Sequence, residues 1–138
     1  MVQAVPTAVA VGPDGAYYVG QLTGVPFIVG AANVFRLAPG ATPEVYLEGF
    51  THIIDLAFDD AGNLYVLQIA SESLLMGDSE TGALIRINTD MSRETLIDDL
   101  FMPGGIALSR NGKAVYISNC SVCVGAGEVL RLTLDESD

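Results

Sequence analysis

The chain states one phrase three times, and that repetition limits what it can fold into more than any other feature. Aligned on Gly15, Gly62 and Gly112, the phrases are VPTAVAVGPDGAYYVGQL, THIIDLAFDDAGNLYVLQI and MPGGIALSRNGKAVYISNC. After an insert of variable length each is followed by a second phrase: ANVFRLAPG, GALIRINTD and GEVLRLTLD. The turn glycines stand 47 and 50 residues apart, and Arg36, Arg86 and Arg131 stand 50 and 45 apart. A period of this length, made of short apolar runs and turn residues, belongs to the blades of a β-propeller.

The first repeat reads as strands over 8–11, 16–22, 33–37 and 44–47, with Pro13-Asp14-Gly15 as a strong hairpin signal. The second reads as strands over 55–58, 64–69, 84–87 and 94–97, with the turn Asp60-Ala61-Gly62. Its insert, 70–81, is a polar loop in which Leu74-Leu75-Met76 makes one helical turn at most. The third gives strands over 105–108, 114–118 and 128–132 around Arg110-Asn111-Gly112, then offers no match to PEVYLEGF or RETLIDDL. The expected fold is all-β: one domain over 1–138, a half-propeller of three four-stranded blades, the third lacking its own outer strand. The blade repeats fall near 5–50, 51–100 and 101–138. Residues 1–5 lie where a preceding blade's outer strand would lie, and are expected to complete a last blade, most readily that of another copy.

Three blades do not close a ring, because propellers use four to eight. A free wedge would leave two apolar faces of the kind that soluble monomers avoid. Two copies about a two-fold axis make six blades, so the expected partner is the chain itself, as a homodimer. The rival reading is a piece of a longer propeller. Half of the residues are hydrophobic, enough for a core, yet no apolar run reaches the length of a membrane span. The first residues, MVQAVPTAVAVGPDG, lack the basic and apolar regions of a signal peptide. The net charge of -11 argues against nucleic acid and anionic membranes as partners, since both select basic patches. An acidic surface first serves solubility; its sharper reading is attraction for cations. The tail Asp135-Glu136-Ser137-Asp138 reads as a solvated end.

Cys120 and Cys123 form one CSVC, too few ligands for structural zinc. The motif follows a strand in a β repeat rather than opening a helix, so free thiols or a local disulfide come ahead of redox catalysis.

The second strands end at equivalent carboxamides, Gln21, Gln68 and Asn119. Such groups bind sugars or cations, and they also bond to backbone at strand ends, which is the favoured reading. The first strands begin at Thr7-Ala8, Ile54-Asp55 and Gly104-Gly105. Asp55 at a channel mouth is the one carboxylate there able to ligate Ca²⁺ or another divalent cation; a single solvated or hydrogen-bonded aspartate is the simpler reading. His52 shares that entrance, but no serine or cysteine is matched to it. No catalytic residue and no other cofactor are assigned. Arg36, Arg86 and Arg131 occur in three equivalent copies, which points to a structural role, a blade-to-blade hydrogen bond or ion pair, with Asp14, Asp59 or Asp60 as partners. Tyr18, Tyr65 and Tyr116 read as inter-blade core. Gly15, Gly62 and Gly112 supply positive φ in turns.

The phrases VAVGPDGAYYVG, IDLAFDDAGNLYVL and PGGIALSRNGKAVYISN resemble the NHL and six-bladed propeller superfamily. With QLTGVPF, ANVFRLAPG, FTHIIDLAFD and YISNCSVCVGAGEVLRL, the whole string resembles more narrowly the ScyD/ScyE family, predominantly cyanobacterial propeller proteins, some encoded beside scytonemin-biosynthesis genes. The resemblance covers essentially the whole chain and implies an NHL-like six-bladed propeller, of which this sequence matches the C-terminal half. It also makes an exported parent protein plausible. It brings no catalytic mechanism with it. Related six-bladed propellers include lactonase-like hydrolases with an acid and amide cluster around a divalent cation. Asp55, Gln21, Gln68 and Asn119 are this chain's nearest approach to that set, with no glutamate at the corresponding strand ends and Glu72 just beyond, in the loop.

Overall fold

The computed structural model describes residues 3–77 and 80–134; Met1, Val2 and the acidic tail 135–138 lie outside them. Eleven strands form three antiparallel sheets among the described residues. The first sheet is β1 (Pro6–Val11), β2 (Tyr17–Gln21), β3 (Ala32–Leu37) and β4 (Glu44–Phe50), in sequence order. The second is β5 (Ile53–Phe58), β6 (Leu64–Gln68), β7 (Gly82–Ile87) and β8 (Arg93–Leu100), again in order. The third has three strands, β9 (Gly105–Leu108), β10 (Ala114–Asn119) and β11 (Glu128–Thr133), with β11 at its open outer edge. Leu74–Met76 forms a single 3-10 turn capped by Ser73.

Each sheet is a meander because each hairpin turn has the residues it needs. The three turn glycines sit at φ 81°, 93° and 70°, where a Cβ would be strained. Ahead of them the backbone turns back through the same bond in each repeat: Gly15 N–H to the Gly12 carbonyl, Gly62 to Asp59, and Gly112 to Ser109. The fourth strands run three residues past the expected ends, because Phe50 and Leu100 pair with Ala32 and Gly82 at the start of the third strands, across a bulge.

The core lies between blades. Along β6 every residue is buried, which breaks the inside-outside alternation of a one-sided sheet. The reason is that blade two is covered on both faces. Leu64 and Val66 join Tyr18, Val34, Phe50, Ile53 and Leu56 in a cluster toward blade one. Tyr65 and Leu67 join Leu84, Leu100, Val115 and Ile117 in a second cluster toward blade three. The inner strands β1, β5 and β9 stand side by side.

The two outer faces of the wedge are uncovered. On blade one Val9 is 66% and Val11 62% exposed, with Tyr17 beside them. On blade three Tyr116 corrects an expectation. Tyr18 and Tyr65 are buried between blades, whereas Tyr116, in the same position of its repeat, is 40% exposed. Its side chain lies on the face where a following blade would pack. Residues 3–5 run along their own blade: the Val5 carbonyl accepts from Leu22 N–H and the Gln3 carbonyl from Gly24 N–H.

Candidate functional site

The three carboxamides end the second strands and are all buried. Their hydrogen-bonding capacity goes to the protein itself. Gln68 Oε1 accepts from Thr51 N–H at 2.9 Å, and Asn119 Oδ1 accepts from Phe101 N–H at 3.0 Å. Gln21 presents its other end to the equivalent residue, donating from Nε2 to the Ala4 carbonyl at 2.9 Å, while its Oε1 accepts from Asn33 N–H. The remaining amide groups donate to Ser71 Oγ and Glu128 Oε1. Each carboxamide thus fastens the end of its blade's second strand to the segment leading into the first. Within one chain they stand at three separate blade ends rather than around one ligand.

The next residue in each repeat is Val5, His52 and Met102, and all three have φ between 43° and 45°. Left-handed backbone at a non-glycine residue costs about 1 kcal/mol or more and persists only where its surroundings hold it. The sequence carries no signal for this repeated bend, because valine, histidine and methionine share no turn preference.

His52 is fully buried. Its Nδ1 lies 3.1 Å from the Leu22 carbonyl, which only accepts, so Nδ1 carries the proton of that bond. Phe27 meets the ring edge-on, with centroids 5.7 Å apart. Thr51 Oγ1 accepts from Gly30 N–H, and Ser73 Oγ donates to the Pro26 carbonyl. The loop that follows β2 is therefore strapped across the start of blade two. His52 Nε2 and Thr23 Oγ1, both buried, have no hydrogen-bond partner among the described residues. Among the described residues no serine or cysteine contact joins His52 in a nucleophilic arrangement.

Asp55 bridges inner strands. Its Oδ1 accepts from Leu56 N–H and its Oδ2 from Ile106 N–H, both at 2.8 Å. Thr7 Oγ1 makes the matching link one blade earlier, to the Ile53 carbonyl. Each Asp55 oxygen is thus engaged by one amide, and no group of three His, Cys, Asp or Glu side chains fit to hold an ion occurs among the described residues.

At the opposite, turn-bearing end the repeated arginines meet acids. Arg36 Nε and Nη2 both donate to Asp14 Oδ2, at 3.1 and 2.9 Å, and Tyr18 donates to the same oxygen. These contacts hold the Asp14 carboxyl below its ordinary range, the tyrosine bond first and the arginine second. Burial, and then Asp14, push the Tyr18 hydroxyl up. Blade two divides the same parts: Asp59 accepts from Tyr65, while Arg86 pairs with Glu94 at 2.7 Å. Arg86 therefore pairs with neither Asp59 nor Asp60, the acids expected of it, and the ion pairs of Arg36 and Arg86 lie within a blade rather than between blades as expected, because cross-strand register sets the glutamate beside the arginine. In blade three Asn111 stands where Asp14 stands, and among the described residues Arg131 reaches only Thr133 Oγ1. Between the turns of blades two and three lies a cleft of about 380 Å³ whose wall mixes Asp59 and Asp60 with Arg86 and Lys113. Sequence reasoning missed this cleft, which arises where two turns from different repeats meet. Cys120 and Cys123 are joined in a disulfide.

No family model matches the chain, and no curated protein matches it. A solved structure, of a gluconolactonase-like protein, is similar to it with a TM-score of 0.62 at 16% identity. The match covers 94% of this chain and 49% of that one, so this chain spans about half of that protein's length. At such identity the likeness shows the fold alone: the chain has a β-propeller fold.

Proposed function

We propose that this chain is a non-enzymatic, self-assembling propeller module, a scaffold or binding unit that closes a six-bladed ring with a second copy of itself. One observation carries the reading. The uncovered face of blade one repeats the apolar set by which blade two packs on its predecessor. In strand register Val9, Val11 and Tyr17 correspond to Leu56, Phe58 and Leu64. Beside them Val19, Phe35 and Leu37 line a hollow of about 230 Å³. Burying such a face contributes about 25 cal/mol per Å² of apolar surface, and contiguous patches of this kind mark interaction sites. The partner face on blade three offers Tyr116 and Val129. Light scattering over a concentration range tests the reading. A mass of twice the 14.5 kDa chain supports ring closure, and a stable monomer overturns it.

The second reading is a metal-dependent, lactonase-like hydrolase, favoured by the description of the similar structure as gluconolactonase-like. It ranks lower because the oxygens of Asp55 and of the three carboxamides are engaged by backbone amides. The expected result is no change in melting temperature with Ca²⁺, Zn²⁺ or Mn²⁺. A ligand of the folded state must raise it, so a rise with any of the three would reinstate the hydrolase.

A further inference from the structure

We infer that the Cys120–Cys123 disulfide is a reversible redox latch, opened by a dithiol, that clamps the loop between β10 and β11 onto the segment leading into β9. The repeats show what is unusual about that loop. In blades one and two the residue after the carboxamide bonds straight back, Leu22 N–H to the Val5 carbonyl and Ile69 N–H to the His52 carbonyl. Blade three makes the equivalent bond, to the Met102 carbonyl, one residue later, from Ser121 N–H. The extra residue is Cys120, at φ 59°, a conformation that Leu22 and Ile69 do not share. Its own N–H turns to the Phe101 carbonyl, and Ser121 Oγ adds a second bond to the Met102 carbonyl at 2.6 Å. Left-handed backbone at a residue with a Cβ must be held in place by its surroundings. The bond to Cys123, three residues on, is the covalent tie that holds it.

The tie is placed so that it opens without unfolding the chain. Both cysteines are half-buried and lie outside the two core clusters, and Ser121, Val122 and Val124 around them are exposed, so a thiolate reaches the sulfurs. From 122 to 127 the hydrogen bonds among the described residues stay within the loop. A disulfide that closes so short a loop adds least to global stability. In the exchange, one thiolate of the dithiol attacks one cysteine sulfur, the Sγ–Sγ bond breaks, and the other cysteine leaves as a thiolate that takes up a proton. The dithiol's second thiolate then displaces the first cysteine and closes the dithiol's own disulfide, so two electrons pass to the loop. A monothiol stalls after the first step, because the freed cysteine is tethered beside the mixed disulfide and expels it. The Cα atoms, 5.3 Å apart, lie within disulfide reach, so the latch can close again. Nothing here depends on ring closure, since the loop joins two strands of one blade.

The test uses the full chain in mixtures of reduced and oxidised dithiothreitol. Thiol counting is expected to show both cysteines released while urea unfolding stays cooperative, with far less release in reduced glutathione at the same thiol concentration. Amide exchange at Cys120 and Ser121 is expected to quicken about tenfold on reduction, as for loss of a local constraint, with β9 and β10 unchanged. Return to oxidised dithiothreitol should restore slow exchange. The double variant Cys120→Ser, Cys123→Ser should exchange like the reduced protein and ignore dithiothreitol; the wild-type titration decides even if that variant fails to fold. Sulfurs that resist dithiothreitol until the chain unfolds, equal release by glutathione, loss of cooperative unfolding on reduction, or exchange at Ser121 that ignores the redox state would each overturn the inference.

Discussion

Asp14 concentrates three interactions in one carboxylate oxygen, two from Arg36 and one from Tyr18. Its carboxyl titrates below the ordinary 3.8 in the folded protein. A lowered folded-state value means that the unfolded chain takes up the proton first. The contribution to stability is then complete above the ordinary value and fades as the pH falls through the folded one. The site is solvent-exposed, so the effect is modest and screened by salt. Melts of wild type and Asp14→Asn between about pH 6 and 2 should converge at the acid end, with the variant less stable only at the higher pH. Constant separation across the range would show that the carboxylate's charge contributes nothing. Gln68 is different in kind. Its Oε1 holds the buried N–H of Thr51, and truncation leaves that donor without an acceptor. Gln68→Ala should cost about 1–3 kcal/mol in urea unfolding. A loss below a few tenths would mean that the amide finds water instead.

Blades approach most closely where small residues allow it. A Cβ on Gly20 would come within 2.6 Å of Ile53 Cγ2, across the junction of β2 and β5. Gly20→Ala should therefore destabilise the chain by about 1–3 kcal/mol through overpacking, read as a lower urea midpoint. The strands themselves were legible in the sequence, because apolar runs bounded by Pro-Asp-Gly, Asp-Ala-Gly and Arg-Asn-Gly leave little choice of hairpin. The open third sheet was legible too, from the missing counterpart of RETLIDDL. What the sequence concealed is what depends on distance between repeats. Asp55 read most simply as a solvated or hydrogen-bonded aspartate, but nothing in the sequence named its partner, the N–H of Ile106, fifty-one positions on. Arg86 looked as if it belonged to Asp59, and cross-strand register gave it Glu94 instead. Tyr116 looked like its two buried counterparts, but burial there requires a following blade. A repeat pattern conveys equivalent positions, and only packing decides which of them find equivalent neighbours.

At the scale of the molecule, the wedge has one strongly apolar end face. Under the proposed ring closure, a charge placed there should act on assembly before it acts on folding. Val11→Asp lies outside both buried clusters, so the monomer should melt close to wild type, while light scattering should show the mass of a single chain. A dimer that survives this change would place the contact elsewhere. The joints between blades carry a further consequence. A tandem of near-copies runs the hazard that a repeat settles against the wrong sibling while the chain is still collapsing. Here the joints differ. Thr7 reaches a carbonyl of blade two, and Asp55 reaches an amide of blade three. Arg93 reaches back across the first joint, with its guanidinium 4.3 Å above the Phe50 ring and bonded to the Glu48 carbonyl. None of these residues recurs in the corresponding place of the other repeats. Each junction so bears its own address, and the order of the blades is written into the seams that join them.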